Sequence, residues 1–346
     1  MIRRVGFLSF GHWQAVPGSQ TRSAADALRQ TIELAVAAEE LGIDGAYVRV
    51  HHFARQLASP FPLLAAIGAR TSRIEIGTAV IDMRYENPLY MAEDAAAADL
   101  ISGGRLQLGI SRGSPEPALR GAEAFGHVPG EGETDGDLAR RHAAIFRAAI
   151  AGAGVARSDP LMSGVDAPLP IQPLSPGLPE RIWWGAGTRR TAEWAAEQGM
   201  HLQSSTLLSE DTGVPFGELQ AEQIERYRAA WAAAGWEREP RVSISRSVLP
   251  IVTDEDRRWF GAERGAEDQV GILEGVRARF GRTYTGEPDA IVRELARDPA
   301  LAAADTLLLT VPNQLGVEYN ARLLEIFATQ IGPAIGWAPA TLGAAR

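Results

Sequence analysis

Three polar segments of the sequence each follow a short apolar run, which is where ligands bind in an α/β protein. The segments are His51-His52, Ser111-Arg112-Gly113-Ser114 and Gly187-Thr188-Arg189-Arg190-Thr191. In parallel α/β folds the carboxyl ends of the strands lie at one edge, and ligands bind at that edge. These segments are therefore the candidates for direct contact with a ligand.

Arg112 is a single cation in a polar loop that follows the predicted strand Arg105–Ile110. A guanidinium presents a rigid fork of N–H donors, which matches the oxygens of a phosphate or carboxylate. We predict that Arg112 faces an anionic group of a cofactor. The alternative interpretation is a solvated loop arginine, which is common on protein surfaces.

The segment Gly185–Thr191 joins a predicted strand to a predicted helix. Thr188 suits the N-cap position and Thr191 lies at the same helix end. A helix N-terminus attracts anions, whereas Arg189 and Arg190 in its first turn oppose the helix dipole. A bound phosphate would remove this conflict. The alternative is an ordinary capped helix with solvated arginines.

His51 and His52 suit proton transfer, because the ordinary pKa of histidine lies near neutrality. A metal site would require further ligands at recognisable spacing, and the sequence has no HExxH motif or similar cluster. We therefore predict no metal, and we interpret His52 as a structural residue.

The composition excludes several classes of chemistry. The 346 residues include 34 basic and 43 acidic ones, and the net charge of −9 argues against nucleic acid as a partner. Cysteine is absent, which excludes disulfides, zinc–thiolate sites and thiol nucleophiles. Lysine is also absent, which excludes Schiff-base and P-loop chemistry. The apolar N-terminal run is too short for a signal peptide, and no run would span a membrane, so a cytoplasmic protein is expected.

Eight predicted strands alternate with helices, which indicates a single (β/α)8 TIM barrel over residues 1–346. The strands are expected at Val5–Ser9, Ala46–Val50, Ile74–Val80, Arg105–Ile110, Arg181–Gly185, His201–Ser204, Val242–Arg246 and Thr306–Thr310. Helices are expected at Ser23–Leu41, Pro60–Ala69, Pro88–Leu100, Glu116–Phe125, Asp137–Ile150, Thr188–Gln198, Phe216–Ala234, Pro288–Arg297 and Val317–Ile331.

Long excursions are expected after strands 4 and 7. The first, Gly152–Glu180, carries six prolines and lacks periodicity. Long loops in compact domains are usually functional or mobile. We therefore predict that Gly152–Glu180 forms a lid over the site.

Four ordered motifs give the sequence a family resemblance. They are VHHF at Val50–Phe53, GTAVIDMRYENPLYMAED at Gly77–Asp94, GRLQLGISRG at Gly104–Gly113 and AEWAAEQG at Ala192–Gly199. The sequence resembles the bacterial luciferase-like, flavin-dependent monooxygenases. The likeness runs from Val5 to about Ser204 and returns more weakly in the last 40 residues.

The resemblance implies a TIM barrel that binds reduced FMN at its C-terminal face, often as a dimer. His51 matches the family residue that lies beside the isoalloxazine ring and assists proton transfer. Ala79-Val80 matches a non-prolyl cis peptide under that ring. The positions that match the flavin site are Ala79, Val80, Ser111, Arg112, Gly187, Thr188 and Thr191.

Two positions depart from the family pattern. Val50 stands where the family often has a glutamate before the histidine pair. Ser111 stands where the luciferase catalytic subunit has a cysteine, so thiol-dependent behaviour and light emission are not implied.

The function implied by the resemblance is a monooxygenase that oxygenates a small organic substrate with reduced FMN and O2, through a C4a-peroxyflavin. NAD(P)H would reduce the flavin directly or through a separate flavin reductase, and the protein would form a homodimer. An F420-dependent hydride transferase of the same superfamily and a non-catalytic flavin-binding partner subunit are the alternatives. A metal-dependent TIM-barrel hydrolase would need clustered His and Asp at several strand ends, which the sequence does not supply.

Overall fold

Eight parallel strands close into a barrel in the computed structural model, which describes residues 2–113, 116–210, 212–261, 268–273 and 276–340. The strands are β1 (Arg4–Ser9), β2 (Gly45–Val48), β3 (Glu75–Asp82), β4 (Leu106–Ser111), β5 (Ile182–Ala186), β6 (His201–Ser204), β7 (Val242–Pro250) and β8 (Thr306–Thr310). Each strand pairs with the next in parallel, and β8 pairs with β1. The predicted (β/α)8 TIM barrel is confirmed.

A helix follows each strand and covers the outside of the barrel. The helices are α1 (Ala24–Glu40), α2 (Pro60–Arg70), α3 (Pro88–Ile101), α4 (Asp135–Ile150), α5 (Arg189–Glu197), α6 (Phe216–Ala233), α7 (Pro288–Leu295) and α8 (Gly316–Ile326). Shorter helices lie at Gly121–Ala124, Pro160–Ser163, Leu178–Arg181, Asp254–Phe260, Pro299–Ala303, Asn313–Leu315, Phe327–Ile331 and Pro333–Ile335. In the described part of the chain, none of the helices is both long and apolar enough to cross a bilayer.

Local sequence signals explain where the helices begin. Ser23 and Thr134 form capping boxes with Asp26 and Asp137, which satisfies helix amides that have no partner within the helix. The helix predicted over Glu116–Phe125 is wrong in extent, because only Gly121–Ala124 is helical. Arg120 interrupts it, since its φ of 53° lies in the left-handed region.

Apolar side chains on the outside of the barrel pack against the helices and form the main core. Ile76, Leu106 and Ile182 from three adjacent strands are buried in it, as are Ile67 from α2 and Phe146 from α4. Burying one such side chain stabilises the fold by about 1.5–3 kcal/mol relative to exposing it. This core holds the strand ends, and the residues that follow them, in fixed positions.

Polar side chains close the N-terminal end of the barrel interior. Arg241 pairs with Glu75 through contacts of 3.0 and 2.9 Å, and Tyr47 donates to the same carboxylate at 3.3 Å. Beside them, Trp183 Nε1 donates to Gln107 Oε1 at 2.9 Å. A ligand therefore has room at the C-terminal end of the barrel, where the polar segments lie.

The first excursion lies at the N-terminal end of the barrel, away from the polar segments at the C-terminal end. Residues 152–180 connect α4 to β5, with a short antiparallel pair at Ala156–Arg157 and Pro168–Leu169. The fully buried Asp99 accepts hydrogen bonds from Ser175 and Arg181, both at 2.6 Å, and holds the end of the segment against α3. Because helix-to-strand connections lie at the N-terminal end of a TIM barrel, the lid predicted for Gly152–Glu180 is wrong.

The second excursion, between β7 and β8, lies at the C-terminal end instead. Thr283–Gly286 extends the sheet by pairing with the end of β7. Gln269–Leu273 and Val276–Phe280 pair with each other, and the latter pairs with Leu207–Leu208 after β6. This excursion therefore builds part of the rim around the site.

Glu86, between β3 and α3, makes the stability of the fold dependent on pH. Burial, with the carboxylates of Asp82 and Asp94, raises its pKa from 4.5 to about 7. Unfolding restores the lower pKa, so the contribution of Glu86 to stability is greatest below pH 4.5 and is lost as the pH rises to about 7. The pKa difference of about 2.5 corresponds to roughly 3 kcal/mol.

We therefore expect Glu86→Gln to raise the free energy of unfolding by about 3 kcal/mol at pH 8 and by less than about 1 kcal/mol at pH 5. Urea unfolding at the two pH values measures both effects. Glu93→Gln, which changes an exposed glutamate on α3, is the matched control. Equal stabilisation by Glu86→Gln at both pH values would contradict the prediction.

Candidate active site

A cavity of about 460 Å³ opens at the C-terminal end of the barrel. Its size lies within the range of small-molecule and cofactor sites. The sequence-predicted site residues that line it are His51, Ala79, Val80, Ser111, Arg112, Gly187, Thr188 and Thr191. The structure thus brings all of the predicted site residues to one cavity.

Strand β3 passes the cavity with an irregular backbone. The peptide bond between Ala79 and Val80 is cis, at the position where the family resemblance places one. Gln203 on β6 donates to the carbonyl oxygen of Thr78 at 3.0 Å and so ties β3 to the opposite wall. A Cβ atom at Gly185 would lie 2.9 Å from Val80 Cγ1, so glycine on β5 leaves room for the Val80 side chain.

The turn after β4 directs Arg112 to the mouth of the cavity. Gly113 donates its backbone N–H to Ser111 Oγ at 2.7 Å and has a φ of 83°. A Cβ atom at this glycine would lie 1.9 Å from Asp82 Oδ2, so no other residue fits there. The exposed Arg112 side chain runs past Gly136, at the start of α4.

The turn after β5 forms a capped helix N-terminus, as predicted. Thr188 Oγ1 accepts a hydrogen bond from the Thr191 backbone N–H at 3.1 Å, and the two hydroxyl oxygens lie 2.7 Å apart. Gln223, which is fully buried on α6, donates to the carbonyl oxygens of Ala186 and Thr188 at 3.2 and 3.0 Å. These bonds hold the turn and both threonines against the cavity.

Arg189 is paired differently from the prediction. Its backbone N–H and its Nε donate to Glu210 Oε2 at 2.9 and 3.1 Å, and its Nη1 donates to Glu222 at 2.8 Å. Two glutamates therefore offset the conflict between this arginine and the helix dipole. Arg190 is exposed and does not belong to the cavity lining.

Arg140 is a cavity residue that the sequence analysis missed. It lies on α4, one turn after Gly136, and its guanidinium carbon lies 5.0 Å from the centre of the Trp194 ring. The spacing of four residues puts Gly136 and Arg140 on one face of the helix. The sequence could therefore have indicated that Arg140 shares a helix face with Gly136. Only the packing of α4 shows that this face meets the cavity.

His51 is held between a carboxylate and a guanidinium. Its Nδ1 lies 3.0 Å from Glu116 Oε1, and its Nε2 accepts a hydrogen bond from Arg49 Nε at 2.9 Å. Since a guanidinium can only donate, Nε2 carries the lone pair and Nδ1 carries the proton that Glu116 accepts. The Glu116 side chain is only 3% exposed, so its carboxylate is held in place by its surroundings. The contact to this carboxylate in turn holds the His51 ring.

Neither partner of His51 was predicted. Glu116 fell within a predicted helix, and Arg49 fell within a predicted apolar strand. Glu116 provides the carboxylate from the loop after β4, whereas the family often has one at the position of Val50. No sequence signal links it to His51, because the two residues are 65 positions apart.

His52 points away from the cavity into an aromatic cluster. Its ring stacks on Tyr85 at 4.1 Å between centres and meets Phe125 edge-on at 5.2 Å. Burial lowers the pKa of His52, which favours its neutral form. This packing agrees with the interpretation of His52 as a structural residue.

The cavity is locally positive although the chain is acidic overall. Arg49, Arg112 and Arg140 contribute to the described lining, together with the carboxylates of Asp82 and Glu116. Arg84 pairs with Asp82 at 2.7 Å, and His51 holds Glu116, so both carboxylates have partners. The lining therefore favours an anionic ligand.

The fold and this cavity define an α/β barrel with a cationic ligand site at the C-terminal end of its strands. The model of the luciferase-like monooxygenase family matches residues 3–259, and the chain belongs to that family. The resemblance seen in the sequence motifs is therefore confirmed.

Relatives within the family carry out different reactions. The chain is 30% identical over 177 residues to the F420-dependent glucose-6-phosphate dehydrogenase of Kribbella flavida, which covers 49% of this chain and 51% of that relative. It is 31% identical over 110 residues to the oxygenase component of the flavin-dependent trigonelline monooxygenase of Acinetobacter baylyi. That alignment covers 31% of this chain and 30% of the relative. The alignments thus span about half of the first relative and less than a third of the second.

A solved structure shares the fold over nearly the whole chain. The oxygenating constituent of 3,6-diketocamphane monooxygenase of Pseudomonas putida, in complex with FMN, has a TM-score of 0.70 at 17% identity, over 96% of this chain and 99% of that one. Membership of the luciferase-like monooxygenase family agrees with the predicted class of enzyme, an oxidoreductase of that type.

Proposed function

We propose that the protein is an FMN-dependent monooxygenase that uses reduced flavin and O2 to oxygenate a small organic substrate. The observation that carries the proposal is the meeting of His51, the Ala79–Val80 peptide, Arg112 and the Thr188–Thr191 pair at one cavity. The flavin-dependent oxygenase component of Acinetobacter baylyi and the FMN complex from Pseudomonas putida support the choice of cofactor.

The lining suits both ends of a flavin mononucleotide. Arg112 and Arg140, with the hydroxyls of Thr188 and Thr191, would hold the phosphate through charge-assisted hydrogen bonds. Gln203 Oε1 and Trp184 Nε1 belong to buried lining residues and lack hydrogen-bond partners among the described residues. A ring edge that carries both donors and acceptors would satisfy such atoms.

The residues of the chain would bind and shield the flavin and manage its protons. When bound, reduced FMN supplies the reaction with O2. His51 would take or return a proton at Nε2, and Glu116 would keep the ring in the Nδ1–H tautomer. Leu8, Leu207 and Leu308 give the cavity apolar walls, which exclude water from the reacting atoms.

We further propose that the whole chain, residues 1–346, works as one domain and forms a homodimer. A separate flavin reductase that consumes NAD(P)H would supply the reduced flavin. The name of the Acinetobacter relative, an oxygenase component, supports the proposal of a separate reductase.

A second candidate function is F420-dependent hydride transfer, which the Kribbella relative favours because its match is the longer of the two. Adding FMN, reduced FMN and F420 separately to the apo-protein, and following the fluorescence of each cofactor, separates the candidates. F420 binding without FMN binding would overturn the proposal. FMN binding without any oxygenated product, in the presence of a reductase, NAD(P)H and a substrate panel, would indicate a non-catalytic flavin-binding subunit.

Glu210 tests the phosphate end of the proposed site. Its carboxylate accepts from the first backbone N–H of α5 and so puts a negative charge at the helix end that carries Thr188 and Thr191. Removing one charge at a helix N-terminus changes the energy of a neighbouring anion by about 0.3–1 kcal/mol. We expect Glu210→Gln to tighten FMN binding about two- to fivefold.

Riboflavin, which has no phosphate, is the control ligand for this measurement. We expect Glu210→Gln to leave the affinity for riboflavin unchanged. Glu218→Gln, an exposed change on α6, is the matched variant. Weaker FMN binding by Glu210→Gln, or an equal gain for riboflavin, would show that Glu210 does not face the phosphate.

A further inference from the structure

We propose that Arg49 is the receptor for an anionic group of the substrate, specifically a carboxylate. The inference rests on the proposed function, because it assigns the substrate class of the same cavity. It starts from the contacts of the Arg49 guanidinium, which bridges the mouth of the barrel.

Arg49 reaches across the cavity from the end of β2. Its Nε donates to His51 Nε2 at 2.9 Å, and its Nη1 donates to Thr206 Oγ1 at 3.3 Å. Thr206 follows β6, which stands four strands away from β2 in the eight-stranded barrel and so on the opposite side. The guanidinium carbon lies 4.9 Å from the centre of the Phe10 ring. The charge is therefore held in the space that a substrate must enter.

The described contacts of Arg49 leave its guanidinium without a direct ion pair, because the Glu116 carboxylate lies on the far side of the His51 ring. Its three partners are an imidazole, a hydroxyl and an aromatic ring, and no carboxylate among the described residues forms an ion pair with it. Burial lowers the pKa of Arg49, and the Glu116 carboxylate opposes this effect only in part. A cation–π contact contributes about 0.5–2 kcal/mol, and a buried charge generally requires pairing beyond that.

The position of Arg49 assigns it to the substrate rather than to the flavin phosphate. The proposed phosphate groups, Arg112 and Thr188, follow β4 and β5, whereas Arg49 contacts residues that follow β1, β2 and β6. It also touches His51, the proposed base. A planar guanidinium matches the two oxygens of a carboxylate, so an organic acid fits this end of the cavity.

A carboxylate on Arg49 would also change the state of His51. In the present arrangement the Arg49 N–H occupies the lone pair of His51 Nε2. An acid that draws the guanidinium toward its own oxygens releases that lone pair. Substrate binding would therefore make the base available, and the two events would be coupled through one hydrogen bond.

The experiment compares acids with amides of the same shape. Benzoate and benzamide, and hexanoate and hexanamide, are titrated into the protein with and without saturating FMN, because the flavin phosphate would occupy the Arg112 and Arg140 end of the cavity. Binding is followed by calorimetry. We expect the acids to bind at least about tenfold more tightly than the amides in the natural sequence, and the ratio to fall to near one in Arg49→Gln. Arg55→Gln removes an exposed arginine outside the cavity lining and is expected to keep the tenfold ratio.

The proposal is overturned if both acids fail to bind, if acids and amides bind equally, or if Arg49→Gln keeps the preference for acids. FMN titration of the same variants tests the proposed function separately. An FMN affinity that falls about tenfold or more in Arg49→Gln would assign this residue to the flavin instead. A natural protein that prefers acids but binds no FMN would contradict the proposed function and leave the anion site standing. Circular dichroism checks that each variant is folded.

Discussion

Replacing His51 with glutamine is expected to lower the rate of oxygenated product formation by about 100- to 10,000-fold, the range that a positioned acid–base group contributes. Glutamine retains a similar size and hydrogen-bonding capacity but cannot take up a proton near neutral pH. The loss is expected in the rate, while FMN affinity changes little, because the proposed phosphate groups lie on β4 and β5.

The geometry around His51 is the reason for this large expected effect. Glu116 orients the ring through Nδ1, and Nε2 is the unprotonated nitrogen, which accepts a hydrogen bond from Arg49. Product formation is measured with a flavin reductase and NAD(P)H, and FMN affinity is measured by titration. His127→Gln, which changes a partly buried histidine outside the cavity lining, is the matched control. A rate for His51→Gln within about twofold of the natural protein would remove His51 from the chemistry.

Replacing Arg112 with glutamine is expected to weaken FMN binding by about 10- to 100-fold, because a hydrogen bond to a charged group contributes about 1.5–3 kcal/mol. The turn Ser111–Gly113 directs this side chain to the mouth of the cavity, beside the start of α4. The same substitution is expected to leave riboflavin affinity unchanged, since riboflavin lacks the phosphate that Arg112 would contact.

The comparison of FMN with riboflavin separates phosphate binding from a general disturbance of the site. Arg190→Gln, which removes an exposed arginine from the first turn of α5, is the matched control and is expected to change FMN affinity less than twofold. Equal weakening of both ligands by Arg112→Gln would mean that Arg112 supports the cavity without contacting the phosphate.

The barrel, and the segments that carry the predicted site residues, could be predicted from the amino-acid sequence. All eight predicted strands are present, and Thr188 caps α5 as its position after a strand indicated. These features depend on interactions between residues that are near one another in the chain, such as strand alternation and the bond from Thr188 to Thr191. Arg112 and His51 were found in the same way, because each follows an apolar strand.

The partners of these residues became visible only in the folded barrel. Glu116, Arg49 and Arg140 reach the cavity from three different elements, and local patterns placed the first two in a helix and an apolar strand. The end of the barrel on which each excursion lies was likewise set by the fold. The physical reason is that barrel closure brings together residues far apart in the chain, so their pairing leaves no local pattern. Arg112 after β4 could therefore be predicted from the sequence, whereas the partners of His51 could not.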